Sequence, residues 1–233
     1  MIVFGVDSSA AAGSAAAVRD GEILYEAYAN EGLTHRETLL VRCDEVFRST
    51  GIEPEQVDCF AVTAGPGSFT GLRIGLGLVK GMAFVRKTPC VPVSTFDALA
   101  WPLAERNRDL VCVLDARQKR VYCCAYRIAD GKPVRAGEPQ ILPLAELAKH
   151  LKDAGISDPL IAGDAAPMVA AVLPDAEEAG EAFRYVHAGE VARIAEVMYR
   201  RGEYVLPNEL RPVYLQLSQA ERERKRKLEG KDQ

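Results

Sequence analysis

The stretch 70–86 constrains this chain more than any other. It reads as one helix, with Leu72, Ile74, Leu76, Leu78, Val79, Met82 and Phe84 interleaved by Gly71, Gly75, Gly77 and Gly81. A glycine inside a helix costs roughly 1 kcal/mol relative to alanine, so four of them call for a compensating reason. The pairs Gly71/Gly75 and Gly77/Gly81 stand four apart and make flat strips that another backbone can approach. A helix apolar nearly all round is covered on all sides. Its own sheet supplies one cover, and the second is either another internal layer or, as favoured here, a partner chain. Lys80 lies inside the stretch and Arg73 and Arg86 near its ends, so it is too short and too charged to span a bilayer.

Around that helix the chain reads as α/β. An apolar run at 2–6 ends in Asp7, and strand-like runs at 14–19 and 22–29 flank Asp20-Gly21, the mark of a tight hairpin. Thr34 and Glu37 form a capping-box pair that opens a helix through Leu39, Leu40, Cys43, Val46 and Phe47, closed by Gly51. A strand at 57–63, the turn 64–67, the glycine-rich helix, a strand at 89–93 and a helix from Ser94-Thr95 to about Arg106 complete the order β-β-β-α-β-α-β-α. That order matches a ribonuclease-H-like plan. The pattern then restarts. A strand at 110–114 ends in Asp115, and a strand at 121–128 meets Asp130-Gly131. A helix at 144–152, a strand at 159–162 before Gly163-Asp164, and helices at 169–173 and 190–201 follow. The repeated order suggests internal duplication, with domains 1–106 and 107–233, the second smaller and its C-terminal tail free to pack back on the first.

Composition limits the function classes. With 48% hydrophobic and 27% charged residues in 233, the chain can bury a core. A net charge of −4 argues against a dedicated duplex-DNA binder. No basic region precedes the first apolar run, so a signal peptide is not read and a cytoplasmic location is expected. Cys43, Cys59, Cys90, Cys112, Cys123 and Cys124 sit in apolar runs with no C-x-x-C, as small buried hydrophobes would. The run 221–227 is dense in charge, but six basic and four acidic residues between 221 and 232 leave only +2, as a solvated helix end would.

Two places suit a phosphate. Asp7-Ser8-Ser9 ends the first strand with small hydroxyls and a carboxylate suited to Mg²⁺ through water. Gly65-Pro66-Gly67-Ser68 leads a strand into a helix N-terminus, although no Gly-Lys-Ser/Thr follows. Each also reads as an ordinary turn. Among His35, His150 and His187 there is no H-x-x-x-H pair, and no G-x-S-x-G elbow occurs.

The string Gly65-Pro66-Gly67-Ser68-Phe69-Thr70-Gly71-Leu72-Arg73-Ile74-Gly75 is specific. With Val93-Ser94-Thr95-Phe96-Asp97-Ala98-Leu99, Val6-Asp7-Ser8, Asp115-Ala116-Arg117 and Val213-Tyr214-Leu215, it resembles the bacterial TsaB family, also called YeaZ. The resemblance covers most of the chain and is strongest up to about residue 125. It implies an actin-like, Hsp70-like ATPase (ASKHA) fold of two ribonuclease-H-like halves with mixed sheets flanked by helices. It also implies a dimerisation subunit for threonylcarbamoyl transfer to adenosine 37 of tRNA. The catalytic paralogue TsaD carries out that transfer, the ATPase TsaE binds the pair, and tRNA is met only within the complex. The paralogue's Val-Asn-His-x-Glu-x-His metal motif aligns on Val93 to Leu99, where Thr95 and Leu99 replace the two histidines. A hydroxyl and an alkyl group do not replace imidazoles, so a pseudo-enzyme without the metal is expected.

The expected partner surface joins Leu39 and Leu40 to Phe69, Leu72, Arg73, Gly75, Leu76, Val79 and Lys80, and self-pairs into a two-fold homodimer in isolation. A charge at Gly75 or Leu76 is expected to abolish pairing and leave the monomer folded. Asp7, Ser8, Ser9, Gly65, Gly67, Ser68 and Asp115 are expected to be a vestigial phosphate site. Arg117 crowds the second half-site, so no cofactor is expected beyond an ATP or ADP at a subunit boundary. The alternative is an independent ATP-dependent transferase or kinase using Asp7. A metalloprotease is set aside for want of H-x-x-x-H or H-E-x-x-H.

Overall fold

The computed structural model describes residues 1–30, 32, 34–174 and 176–215, and the charged run 221–227 lies outside the described residues. The first sheet takes β1 (Ile2–Asp7), β2 (Gly13–Arg19), β3 (Glu22–Ala29), β4 (Cys59–Gly65) and β5 (Cys90–Ser94), in the order β3-β2-β1-β4-β5. β1 runs antiparallel to β2 and parallel to β4. The Asp-Gly turn forms as read, with Asp20 and Gly21 both left-handed at φ 50° and 82°. The helices between the strands are α1 (His35–Thr50), α2 (Phe69–Phe84) and α3 (Thr95–Ala100). At the start of α1 the Glu37 carboxylate accepts from the Thr34 N–H at 3.2 Å, and Gly51 closes the helix at φ 66°.

The second sheet takes β6 (Leu110–Asp115), β7 (Arg120–Ala129), β8 (Lys132–Arg135), β10 (Leu160–Ala162) and β11 (Glu177–Glu178), in the order β11-β10-β6-β7-β8. β9 (Gln140–Pro143) adds to β7. Read from the other edge, and setting β9 aside, this is the strand order of the first sheet: third, second, first, fourth, fifth. Asp7 and Asp115 close the first strands of the two sheets, so the duplication suggested by the sequence has a counterpart in topology. α4 (Leu147–Asp153) and α5 (Ala166–Ala170) belong to this half.

Three differences from the sequence reading have local causes. The helix expected to run to about Arg106 becomes a tight 3-10 turn from Trp101, because Pro102 lacks the N–H that α-geometry needs. The helix expected at 169–173 forms earlier, as α5, with Pro167 in its first turn. β8, β9 and β11 are too short, and β8 and β9 too proline-marked, to show an alternating pattern.

The last helix, α6 (Ala188–Arg200), packs on the first sheet. A Cβ on Gly5 would overlap the Ala188 carbonyl oxygen, so β1 and α6 meet backbone to backbone. Glu196 accepts from the Gly21 N–H at 2.8 Å and Arg193 donates to the Gly21 carbonyl at 2.9 Å, which grips the β2–β3 turn. The first sheet is therefore sandwiched. Phe4, Val6, Phe60, Val62, Leu72, Leu76 and Val79 fill the α1/α2 side. Val3, Ala61, Val93, Phe96, Ala192 and Ala195 fill the α6/α3 side and join Leu110, Cys112 and Tyr126 of the second half in one core. The six cysteines are buried free thiols, with burial pushing Cys43 and Cys59 up to about 12. No helix among the described residues is long and apolar enough to cross a membrane.

Candidate functional site

Residues across neighbouring strands share a face, so Tyr28, Ser14 and Asp7 line up by register, and Thr63, bonded to Asp7, joins them at the carboxyl end of β1 and β4 on the α6 side. Ligands of open α/β sheets sit at such ends. Here the end is filled by protein. Asp7 Oδ1 accepts from Thr63 Oγ1 at 2.7 Å and from the Ser9 N–H at 3.2 Å. Its Oδ2 is buried and takes no hydrogen bond among the described residues, as is true of Ser9 Oγ. Burial raises the Asp7 pKa above the ordinary carboxylate value, outweighing the hydrogen bonds from Thr63 and Ser9 and the opposing influence of His35. Ser8 Oγ donates to the Gly71 carbonyl at 2.9 Å. The expectation that these hydroxyls face a phosphate is thus corrected: Asp7, Ser8 and Ser9 all turn inward.

The loop after β4 is closed in the same way. Gly65 and Gly67 have φ of 124° and 157°, and Gly65-Pro66 is cis. A Cβ on Gly67 would strike the Ser9 carbonyl, and one on Gly65 the Val213 carbonyl. The Ser68 N–H donates to that Ser9 oxygen at 2.7 Å, and the Val213 N–H donates to the Ala64 oxygen at 2.7 Å. Ser68 is the N-cap of α2, its hydroxyl accepting from the Gly71 N–H at 3.2 Å. The glycines serve packing against the β1 loop and against a C-terminal strap, residues 203–215. That strap also pairs Val205 with Cys90 and buries Leu210.

In the second half Asp115 stays near the surface. Arg117 closes on it through its own N–H at 2.7 Å and its guanidinium at 3.3 Å. Arg117, Gln118 and Lys119 are all left-handed, with φ of 65°, 55° and 57°, which non-glycine residues adopt at a cost. Asp164, raised by burial, accepts from the Asp115 N–H at 2.9 Å. Between the halves, Asp97 accepts from Tyr126 Oη at 2.7 Å and from Arg135 at 3.0 and 2.7 Å.

Sequence reasoning missed a cluster beside Asp7. Glu26 accepts from the Gly189 N–H at 3.0 Å and sits 3.0 Å from His187 Nδ1, and Tyr28 stacks on the imidazole at 4.7 Å. The hydrogen bond to Glu26 raises the His187 pKa. Nothing local in the sequence joins residues so far apart; only the return of α6 to the first sheet does.

The α1/α2 face divides the expected partner residues. Leu39, Leu72, Gly75, Leu76 and Val79 are core, and a Cβ on Gly71 or Gly75 would overlap Ser8. That strip was read as outward and instead faces β1, so a charge at Gly75 or Leu76 would disrupt the monomer itself. The other strip does face out. Among the described residues, a Cβ on Gly77 or Gly81 would meet nothing within 4 Å. With Thr70, Arg73, Phe84 and Val85 these glycines form one exposed stripe, edged by half-buried Ile74, Leu78, Lys80 and Met82. On neighbouring α1, Leu40 and Val41 are exposed by 62% and 63%, far beyond what a covered face shows. Phe69 is half-buried against Tyr214.

Comparison with known proteins agrees with this architecture. The family TsaD, tRNA N6-adenosine threonylcarbamoyltransferase, matches residues 31–208. The tRNA threonylcarbamoyladenosine biosynthesis protein TsaB of Haemophilus influenzae is 35% identical over 126 residues, 52% of this chain and 52% of its own. YeaZ from Pseudomonas aeruginosa superposes with a TM-score of 0.78 at 27% identity, covering 92% of this chain and 99% of that one. The chain belongs to the TsaD family, on its TsaB/YeaZ branch. It spans about half the length of the curated TsaB relatives it matches first. The activator of the 2-hydroxyisocaproyl-CoA dehydratase from Clostridium difficile, at TM-score 0.54 and 10% identity over 87% of this chain and 97% of that one, shares the fold alone. The α/β, ASKHA-type fold expected from the resemblance is the one observed.

In this TsaB/YeaZ chain the segment aligned with the paralogue's metal motif does not fit a metal. Leu99 offers no donor and lies in the core, Thr95 is wholly buried, and both oxygens of Asp97 are engaged by Arg135 and Tyr126.

Proposed function

We propose that this chain is a non-catalytic interaction subunit that supports threonylcarbamoyl transfer to adenosine 37 of tRNA by a catalytic paralogue of the TsaD type, with an ATPase of the TsaE type. The observation that carries the reading is the α1/α2 face. Leu40 and Val41 on α1 and Phe84 and Val85 at the end of the adjoining α2 are exposed, and among the described residues nothing packs on Gly77 or Gly81. Exposed apolar groups clustered on two neighbouring helices mark a protein-binding surface, and two glycines in an exposed helix face gain nothing for the monomer. A like pair of helices laid across Gly77 and Gly81 would bury this face as a bundle, in the paralogue complex or, in isolation, in a homodimer. The chemistry is assigned to the paralogue because the metal-motif positions hold no ligand set and the strand end around Asp7 is closed by Thr63, Ser9 and Val213. On this reading the chain has no cofactor of its own, an adenine nucleotide would sit at a subunit boundary, and tRNA is met within the complex.

The test is reconstitution. Purified chain, paralogue and ATPase are combined with tRNA and a threonylcarbamoyl donor, and each protein is omitted in turn. Transfer that requires this chain, with none from the chain alone, is expected. Undiminished transfer without it refutes the proposal. Saturable ATP turnover by the isolated chain, lost in Asp7→Ala, would establish an independent ATP-dependent enzyme in its place.

A further inference from the structure

We infer that Arg73 is a preorganised fork for a carboxylate on the protein partner, and that the C-terminal strap holds it in place through Tyr214. The inference deepens the proposed interaction role and rests on it.

The guanidinium lies over the Phe69 ring, 3.8 Å from its centroid. Phe69 stacks on Tyr214 with centroids 5.1 Å apart. Arg73 Nε donates to Tyr214 Oη at 2.9 Å. An aromatic face and a hydroxyl thus fix the plane and one edge of the group. Among the described residues no hydrogen bond or ion pair takes Nη1 or Nη2. An arginine whose plane is fixed loses little entropy on binding, and its two free nitrogens match a carboxylate or phosphate in bidentate form.

Its position decides between those two anions. Arg73 sits one turn before Gly77 on the outward stripe of α2, so an occupant lying against Gly77 and Gly81 brings its own side chains to the fork. Apart from Thr70 beside it and Lys80 on its edge, the stripe is glycine and apolar, and exposed Leu40 and Val41 stand on the next helix. RNA backbone is held by several cations together, whereas a lone fixed arginine at the end of an apolar face suits one Asp or Glu on a partner helix. The strap gains a purpose as well: Leu210 anchors it in the core and Val213 ties it to Ala64, so Tyr214 is delivered to Arg73 by a rigid segment.

The experiment measures self-association or pairing with the catalytic paralogue by sedimentation at two salt concentrations. Parent, Arg73→Ala, Arg73→Lys, Tyr214→Phe and Gly77→Glu are compared. Arg73→Ala is expected to weaken Kd about 10- to 100-fold. Arg73→Lys is expected to weaken it nearly as much, since charge without the fork does not restore a bidentate contact. Tyr214→Phe keeps the stack and loses the hydroxyl, and a loss of about 3- to 10-fold is expected. The parent should weaken with salt and Arg73→Ala should not. If Gly77→Glu abolishes pairing while both Arg73 variants bind like the parent, the fork is refuted and the surface stands. If Gly77→Glu pairs normally, the surface itself is wrong and the fork falls with it. Loss of tRNA retention in Arg73→Ala with unchanged protein pairing would assign the fork to phosphate and overturn the inference.

Discussion

Gly77 and Gly81 allow a test in which stability and association move in opposite directions. Both lie inside α2 and both would carry a Cβ into open space. Replacing glycine by alanine in an exposed helix interior gains about 0.8–1.0 kcal/mol, because the unfolded chain loses freedom and nothing clashes in the folded one. Gly77→Ala/Gly81→Ala should therefore stabilise the monomer by about 2 kcal/mol. For a chain of this size each kcal/mol moves Tm by about 2–4 °C, so a rise of about 4–8 °C is expected. In the complex the same methyl groups stand where a partner backbone approaches. Extra methylenes in a packed contact cost about 1–3 kcal/mol, which is roughly 5- to 150-fold in Kd.

The unfolding measurement must be made at protein concentrations below the dissociation constant, because a dimer raises its own Tm by mass action. Sedimentation velocity at higher concentration supplies the second number. Gly75→Ala is the control. It adds the same methyl on the opposite face, against Ser8 Oγ, and should lower Tm despite the better helix propensity. A more stable monomer that associates as tightly as the parent would show that close approach is not why these glycines are there. A destabilised monomer would show that the face is not free.

Asp7 and Asp97 give two further expectations. Burial raises the Asp7 pKa, and a carboxyl raised on folding contributes stability that is full below its unfolded value and lost as pH rises through its folded value. Asp7→Asn should therefore gain on the parent between pH 4 and pH 7, by about 1 kcal/mol or more in urea unfolding; an equal difference at both pH values refutes the buried charge. Asp97→Ala leaves the buried Tyr126 hydroxyl and Arg135 without their acceptor. A cost of about 2–3 kcal/mol, exceeding that of Arg135→Ala, is expected in denaturant titration, and a value within ±0.5 would refute a clasp between the halves.

The legible parts of the fold were those written locally. Thr34 with Glu37 and the two Asp-Gly turns each contain their whole cause within four residues, and they formed as read. Orientation was not local. Periodicity marked 70–86 as apolar all round, but which glycine pair faced β1 depended on Ser8 lying under Gly71 and Gly75, a contact across more than sixty residues. The placement of α6 had the same difficulty, since an amphipathic helix suits either sheet equally. Gly5 opposite Ala188 decides it, and a glycine in a strand gives no hint of what approaches. Tyr214 stood in a matching string but carried no role until the strap set it against Phe69.

The two sheets separate architectural glycines from functional ones. A glycine of positive φ stands at the carboxyl end of β4 and of β10, the fourth strands of the two halves with β9 set aside: Gly65, the last residue of β4, at 124° and Gly163, just after β10, at 109°. A Cβ on either would strike a carbonyl oxygen, that of Val213 and that of Val113. In each half a side chain near that glycine bonds the aspartate closing the first strand: Thr63 reaches the Asp7 carboxylate, and Asp164 reaches the Asp115 N–H. The aspartates themselves have diverged, one buried and raised, the other paired with Arg117 near the surface. What the halves share is therefore close backbone approach at the carboxyl end of these strands, from the strap in one half and from β6 in the other. Gly77 and Gly81 answer to no such need. Alanine at both is expected to stabilise the monomer, and the partner surface proposed above supplies a reason for glycine there, on the face where no described residue engages Arg73 Nη1 or Nη2.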